Sequence, residues 1–486
     1  MYVIGLDVGT TGVKAIVCDK DGKVYGTGYK EYGIEAKGNN IVEQNADDWT
    51  ASAVVAITQA VKKVDRKKVV AMSLSTQGAS MLAVDKNFRP LCNVITWMDH
   101  RAGEQAEFIR NTLGAENCYR KAGWRLSSSI DAPKILWLKQ NEPDVFNNAA
   151  NFVSTLEYLN YFLTGNNVSD PTNSAIRGLV DINKGEWDED MLNTLGITTQ
   201  QLPTLMPTGA KVGILTEAAA KALGLPESVA VYNGAHDQYC ASLGSGAVAN
   251  GDMLLATGTT WVVFAVADKL MYTENHIAPG IHPVKGLYGA MASLVSAGSA
   301  LKWIKGIIGE SYADIDAGAA IRRQSAKNIL FAPFVAGTGF PHTEKINACV
   351  AGFTINNDKY DLALALMEGV AFEARTVLEE FAKNGTSIER LYMAGRAAYS
   401  DVWRGIVRDI TGCEVFLTET EDTGCMGAAA IAAAGCGMYD DLYSAVRGMV
   451  RLSRSEKADP EQHAFYNEKY ARYQKHIEML SKQESK

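Results

Sequence analysis

Asp7-Val8-Gly9-Thr10-Thr11-Gly12 sets one carboxylate, two hydroxyls and two glycines in a single short segment between apolar runs. Glycines at a tight turn let main-chain N–H groups approach an anion with no Cβ in the way. Threonine hydroxyls add donors. An aspartate at a strand end can hold Mg2+, through water, because Mg2+ sheds its hydration shell reluctantly. Taken alone, the segment reads equally as a plain glycine hairpin with a solvated aspartate. Leu255-Ala256-Thr257-Gly258-Thr259-Thr260 repeats the Gly-Thr-Thr triplet about half the chain later, again between apolar runs. Two related domains explain such an echo better than chance does. Facing each other, the two turns can clamp the β- and γ-phosphates of a nucleotide. The second copy has Ala256 in place of Asp7, so one half alone supplies the metal carboxylate.

Asp237 closes the run Tyr232-Asn233-Gly234-Ala235-His236. An acid at a strand end among small residues suits a general base that takes a proton from an attacking hydroxyl. It suits a helix N-cap as well. His236 reads as a packed or hydrogen-bonding residue rather than a metal ligand.

Alternating strands and helices must position these groups, which predicts α/β architecture. Strands are expected over residues 2–8 and 12–18. Asp21-Gly22 marks a hairpin leading to a third strand, and Val69 to Leu74 reads as a buried strand. Helices are expected from Asp47, from an Asp361 cap to Asn384-Gly385, and from a Ser400 cap to Gly412. The boundary between halves is placed in the small-residue stretch Ser245 to Gly251, giving domains 1–245 and 246–486.

Other motifs are absent: no Walker P-loop, no GxGxxG after a strand, no HExxH, no GxSxG. The 486 residues carry 47% hydrophobic and 21% charged side chains and a net charge of −8. This is globular composition with no basic footprint for nucleic acid. The basic cluster from Lys62 to Lys68 reads as a solvated turn. The eight cysteines are scattered without a CxxC pair, a usage suited to a reducing cytoplasm. No apolar window spans a membrane, and the start of the chain does not read as a signal peptide. A cytoplasmic protein is expected.

These residues, in this order, resemble the FGGY carbohydrate kinases, built on the actin-like, ribonuclease H-like ATPase fold with a central cleft, and among them the xylulokinase branch. Asp7 to Thr11 resembles the family's first phosphate motif, Leu255 to Thr260 its second, and Gly234 to Asp237 its catalytic segment. Pro133 to Leu138 and Gly352 to Gly369 resemble most of its two signatures, with Asp131 where Pro, Ser or Thr is usual. The resemblance covers Gly5 to about Gly437. It implies Asp237 as general base and Asp7 as the Mg2+ residue. Thr10, Thr11, Lys14, Gly258, Thr259, Gly395 and Ser400 would bind ATP, and Gln77, Trp97, Asp99 and Arg101 the sugar. Read without the family, Trp97 equally suits core packing and Arg101 a surface pair with Glu104. Two departures stand out. Arg396 lies where the adenosine motif has small residues, and Gln77-Gly78-Ala79 replaces the Gln-Met-His of xylulokinases. The implied reaction is phosphorylation of a small sugar or polyol, a ketopentose such as xylulose, by an enzyme for which the resemblance suggests a homodimer. An actin-like or chaperone-type ATPase and a catalytically degenerate family member are the competing readings.

Overall fold

The computed structural model describes residues 1–38, 40–323, 328–342 and 344–484. The first half is built on a six-stranded sheet of β1 (Tyr2–Val8), β2 (Gly12–Cys18), β3 (Val24–Glu31), β4 (Val69–Thr76), β5 (Lys211–Ile214) and β6 (Ala230–His236). Its spatial order is β5-β6-β4-β1-β2-β3. β1 runs parallel to β4 and antiparallel to β2, and β4 runs parallel to β6. The central strands are buried on both faces, as their near-continuous apolar runs require.

The second half repeats this plan in a seven-stranded sheet. Its strands are β7 (Asp252–Thr257), β8 (Trp261–Ala267), β9 (Ala278–Ile281), β10 (Tyr288–Leu294), β11 (Arg390–Gly395), β12 (Val415–Thr418) and β13 (Leu452–Glu456). The order is β9-β10-β8-β7-β11-β12-β13. β7 is antiparallel to β8 and parallel to β11, and β11 is parallel to β12. Each Gly-Thr-Thr turn therefore joins equivalent strands, β1 to β2 and β7 to β8.

The expected helices form with adjusted starts. The helix α1 (Ala46–Ala60) is capped by Asn45, whose side chain accepts from the Asp47 N–H, so it begins just before Asp47. The α2 helix (Asp237–Ser245) follows β6, and α3 (Gly298–Ile308) follows β10. Helix α4 (Lys359–Lys383) is capped by Asp358 rather than Asp361. Asp361 occupies the third helical position and completes a capping box, because its carboxylate reaches back to the Asp358 N–H. The short α5 (Arg396–Tyr399) leads into α6 (Asp401–Thr411), which starts at the Ser400 cap and ends at Gly412 as expected. Lastly, α7 (Thr423–Gly435) follows β12.

Helices α2 and α7 hold the halves together by reciprocal contacts. A Cβ on Gly244 would lie 1.8 Å from the Thr423 carbonyl oxygen, and one on Gly427 1.9 Å from that of Cys240. Only glycine permits this approach. The Ala-rich α7 thus packs on the first sheet against β1, on the face that Asp7 shares. Asp131, unusual for its signature, is buried in an ion pair with Arg177 at 2.6 Å. Among the described residues no helix is long and apolar enough to cross a membrane.

Candidate active site

The two Gly-Thr-Thr turns and Asp237 all lie at the carboxyl ends of parallel strands, where open α/β sheets bind ligands. In the first turn each carbonyl is drawn outward. The Tyr32 hydroxyl donates to Gly9 O, Gln44 Nε2 to Thr10 O at 2.6 Å, and the Tyr32 N–H to Thr11 O at 3.1 Å. Trp97 Nε1 donates to Thr10 Oγ1 at 3.0 Å. Among the described residues the N–H groups of Thr10 and Thr11 find no acceptor. A turn with its carbonyls tied back and its N–H groups free is an anion cradle.

The second turn is built the same way. Thr259 O accepts from the Ser299 N–H at 2.8 Å, while the N–H groups of Gly258 and Thr259 have no acceptor among the described residues. Thr257 Oγ1 donates to Ala394 O and accepts from the Ala397 N–H, pinning the turn to the end of β11. Gly395 there has φ +88° and its ideal Cβ would meet Thr257 O at 2.6 Å, so a side chain is excluded twice over. Arg396 is exposed. Ser400 Oγ accepts from the Trp403 N–H as a helix cap.

Asp7 stands opposite Lys14 in the β1–β2 register and opposite Ser75 in the β1–β4 register. Ser75 donates to its Oδ1 at 2.6 Å. Burial pushes the Asp7 carboxyl up to about 6; repulsion from Asp237 and Asp422 adds to this, and Ser75 and Lys14 oppose it. Ser75 sits between Asp7 on one neighbouring strand and Ala235 on the other. This alignment brings Asp237, the first residue of α2, to the same sheet end. The N-cap is His236 rather than Asp237: its Nδ1 accepts from the Gln238 N–H at 3.3 Å and lies 3.2 Å from Asp237 Oδ1. The Asp237 side chain is 33% exposed, yet its Oδ1 is buried without a hydrogen bond.

Two amide oxygens share that condition. Gln77 Oε1 and Gln238 Oε1 are buried and unpartnered. Gln77 Nε2 donates to Gln44 Oε1, the residue that also holds the first turn. Beside Gln77, Gly78 makes room for a side chain from the end of β6. Its ideal Cβ would meet His236 Cδ2 at 2.6 Å. The volume of a side chain at position 78 is thus taken by the His236 imidazole.

The four sugar-side expectations divide. Gln77 lies beside Gly78 and His236, and Trp97 is 40% exposed at the first turn rather than packed in the core. Asp99 is fully buried and accepts from the Val42 N–H and from Arg101 Nε. Arg101 also pairs with Glu43 at 2.7 Å, not with Glu104. These two residues tie their loop to the neighbouring chain segment. The sequence reading missed Gln238, Ser75 and Asp422. The last forms an ion pair with Lys14 at 2.7 Å.

Comparison with known proteins gives the family. The profile of the FGGY family of carbohydrate kinases, N-terminal domain, matches residues 2–244, and that of the C-terminal domain matches residues 253–436. The xylulose kinase of Bacillus subtilis (strain 168) is 28% identical over 93% of this chain and 91% of its own. The gluconokinase of the same strain is 24% identical over 92% and 90%. A crystal structure of a xyloylose kinase from Brucella ovis superposes with a TM-score of 0.92 at 25% identity over 99% of both chains. The chain belongs to the FGGY family of carbohydrate kinases.

Proposed function

We propose that this enzyme transfers the γ-phosphate of Mg·ATP to a hydroxyl of a ketopentose such as xylulose, with Asp237 as general base. The observation that carries the reading is the unpartnered Asp237 Oδ1 on the same sheet end as a turn with free N–H groups. The sugar hydroxyl oxygen attacks the γ-phosphorus in line, a new O–P bond forms, and the bond to the β-phosphate oxygen breaks to release ADP. Asp237 receives the hydroxyl proton. The N–H groups and hydroxyls of the turns at Thr10-Thr11 and Gly258-Thr259, with Lys14, hold the phosphates. Gly395 leaves room for the nucleoside beside β11, and Ser400 caps the helix behind it.

The residues fit Mg2+. Asp7 carries a carboxylate whose ionisation is opposed by burial and by two acidic neighbours, a cost that a divalent cation would relieve. Among the described residues no three acidic, histidine or cysteine side chains form a cage, so Asp7 would hold the ion through water and phosphate oxygens. Bound there, Mg2+ offsets charge on the phosphates.

A neutral sugar is favoured over an aldonate. Gln77 Oε1 and Gln238 Oε1 are acceptors awaiting hydroxyl donors. The nearby cations are engaged elsewhere: Lys134 Nζ with the carbonyls of Ala79, Thr96 and Ser129, and Arg101 with Asp99 and Glu43. A carboxylate substrate would find no counter-ion in these two. We read the working unit as domains 1–245 and 246–486. All eight cysteines are unpaired, which supports a cytoplasmic enzyme.

A coupled ADP-release screen over pentuloses, polyols, aldonates and hexoses tests the reading. Turnover with a ketopentose and none with gluconate is expected; rapid ATP hydrolysis indifferent to every sugar contradicts it. Within that assay, Gly78→Ala forces the His236 ring to move. It should raise the sugar KM by about tenfold while leaving the ATP KM unchanged, since small misplacements of positioning groups are costly. Equal effects on both constants would show that Gly78 does not shape the sugar side.

A further inference from the structure

Lys14 and Asp422 lie 408 positions apart in sequence, yet their side chains meet at 2.7 Å. The lysine belongs to β2 of the first half, and the aspartate precedes α7 of the second. Lys14 is 49% exposed and Asp422 25%. Exposed ion pairs contribute little to stability, because solvent screens them and two side chains must be ordered. The pair therefore calls for a role other than holding the halves together, which the glycine contacts of α2 and α7 already do.

Position supplies that role. Lys14 is directly opposite Asp7 across the β1–β2 hairpin, so both side chains share one face. Asp422 stands at the start of α7 but makes no side-chain capping bond. Its carboxylate is directed to Lys14 instead. The first turn of α7 shows the same proximity: an ideal Cβ on Gly424 would lie 3.0 Å from Asp7 Cγ. A lysine has a flexible four-carbon stem, and its ammonium is poorly placed unless something fixes it. Phosphoryl transfer depends almost wholly on positioning and charge stabilisation.

We infer that Asp422 is a positioning residue for phosphoryl transfer, holding the Lys14 ammonium beside the first phosphate turn from the opposite half of the molecule. The inference rests on the kinase reading of that turn. Asp422 competes with the phosphates for the ammonium and also fixes where it stands. Its loss frees the cation to bind the ground-state nucleotide while misplacing it for transfer.

The test is a double-mutant cycle of Asp422→Asn and Lys14→Ala, with Asp422→Glu as the conservative variant. Asp422→Asn is expected to lower kcat about tenfold and to tighten ATP binding, measured by calorimetry without sugar, about threefold. Asp422→Glu should recover most of kcat. In the Lys14→Ala background Asp422→Asn should change neither quantity by more than about twofold. The inference is overturned if Asp422→Asn leaves both kcat and ATP affinity unchanged, or if its effects are as large without Lys14 as with it. The binding arm needs no sugar turnover. A parent enzyme inactive with every sugar would therefore contradict the kinase reading while the calorimetric cycle still decides the role of Asp422.

Discussion

Replacing Asp237 with asparagine is expected to lower kcat by about 10²-fold or more while ATP binds as before. Asparagine keeps the size and the position at the start of α2, so the fold and the phosphate turns are undisturbed. It removes a carboxylate at the end of β6 whose Oδ1 has no hydrogen-bond partner among the described residues. Its neighbours do not replace it. Gln77 and Gln238 offer amide oxygens, which are far weaker bases, and His236 Nδ1 already accepts from the Gln238 N–H. Steady-state kcat with the preferred sugar and a calorimetric ATP titration check both halves of the statement. Near-normal turnover would remove Asp237 from the mechanism.

Asp7→Asn should abolish most activity and make the protein more stable. The carboxyl is raised from 3.8 to about 6 by burial, with Asp237 and Asp422 adding repulsion. A folded-state pKa above the unfolded value means that the ionised form is the disfavoured one. The cost is complete above the folded value and disappears as pH falls toward 3.8. At pH 7 it is at most about 3 kcal/mol, by the rule of about 1.36 kcal/mol per pKa unit. The asparagine variant carries no charge there and escapes the cost, so thermal unfolding at pH 7 without Mg2+ should shift upward by a few degrees. The gain should vanish near pH 4. In the parent enzyme kcat/KM should decline as pH falls through about 6, and rising Mg2+ should move that limb to lower pH by competing with the proton. A variant that is both inactive and less stable would show that Asp7 is a structural residue.

Local signals in the chain made much of this site readable. Alternating apolar runs on either side of Gly9-Thr10-Thr11 dictate a hairpin, and the same pattern at Gly258 dictates its counterpart. Ser400 and Gly412 bracket α6 because a hydroxyl cap and a left-handed glycine are local devices. The start of α4 was less legible. Asp358 and Asp361 are both capping types, and only the backbone decides which stands outside the helix. Asp99 and Arg101 show a harder limit. Sequence spacing cannot reveal that Glu43 and the Val42 N–H arrive from another strand to engage them. The Lys14–Asp422 pair lies further out of reach, since it arises from packing α7 of one half on β1 of the other. Gly78 and His236 teach the same lesson. A missing side chain at one position is filled by a residue from a different strand, and no local pattern announces it.

A crystal structure of the Asp237→Asn variant with a non-hydrolysable ATP analogue and a ketopentose tests the central geometry most directly. The terminal phosphates should lie between the Thr10-Thr11 and Gly258-Thr259 turns, with a sugar hydroxyl in hydrogen-bonding reach of residue 237 and in line with the γ-phosphorus. A nucleotide bound away from either turn, or a sugar whose hydroxyls all face away from position 237, would contradict the account.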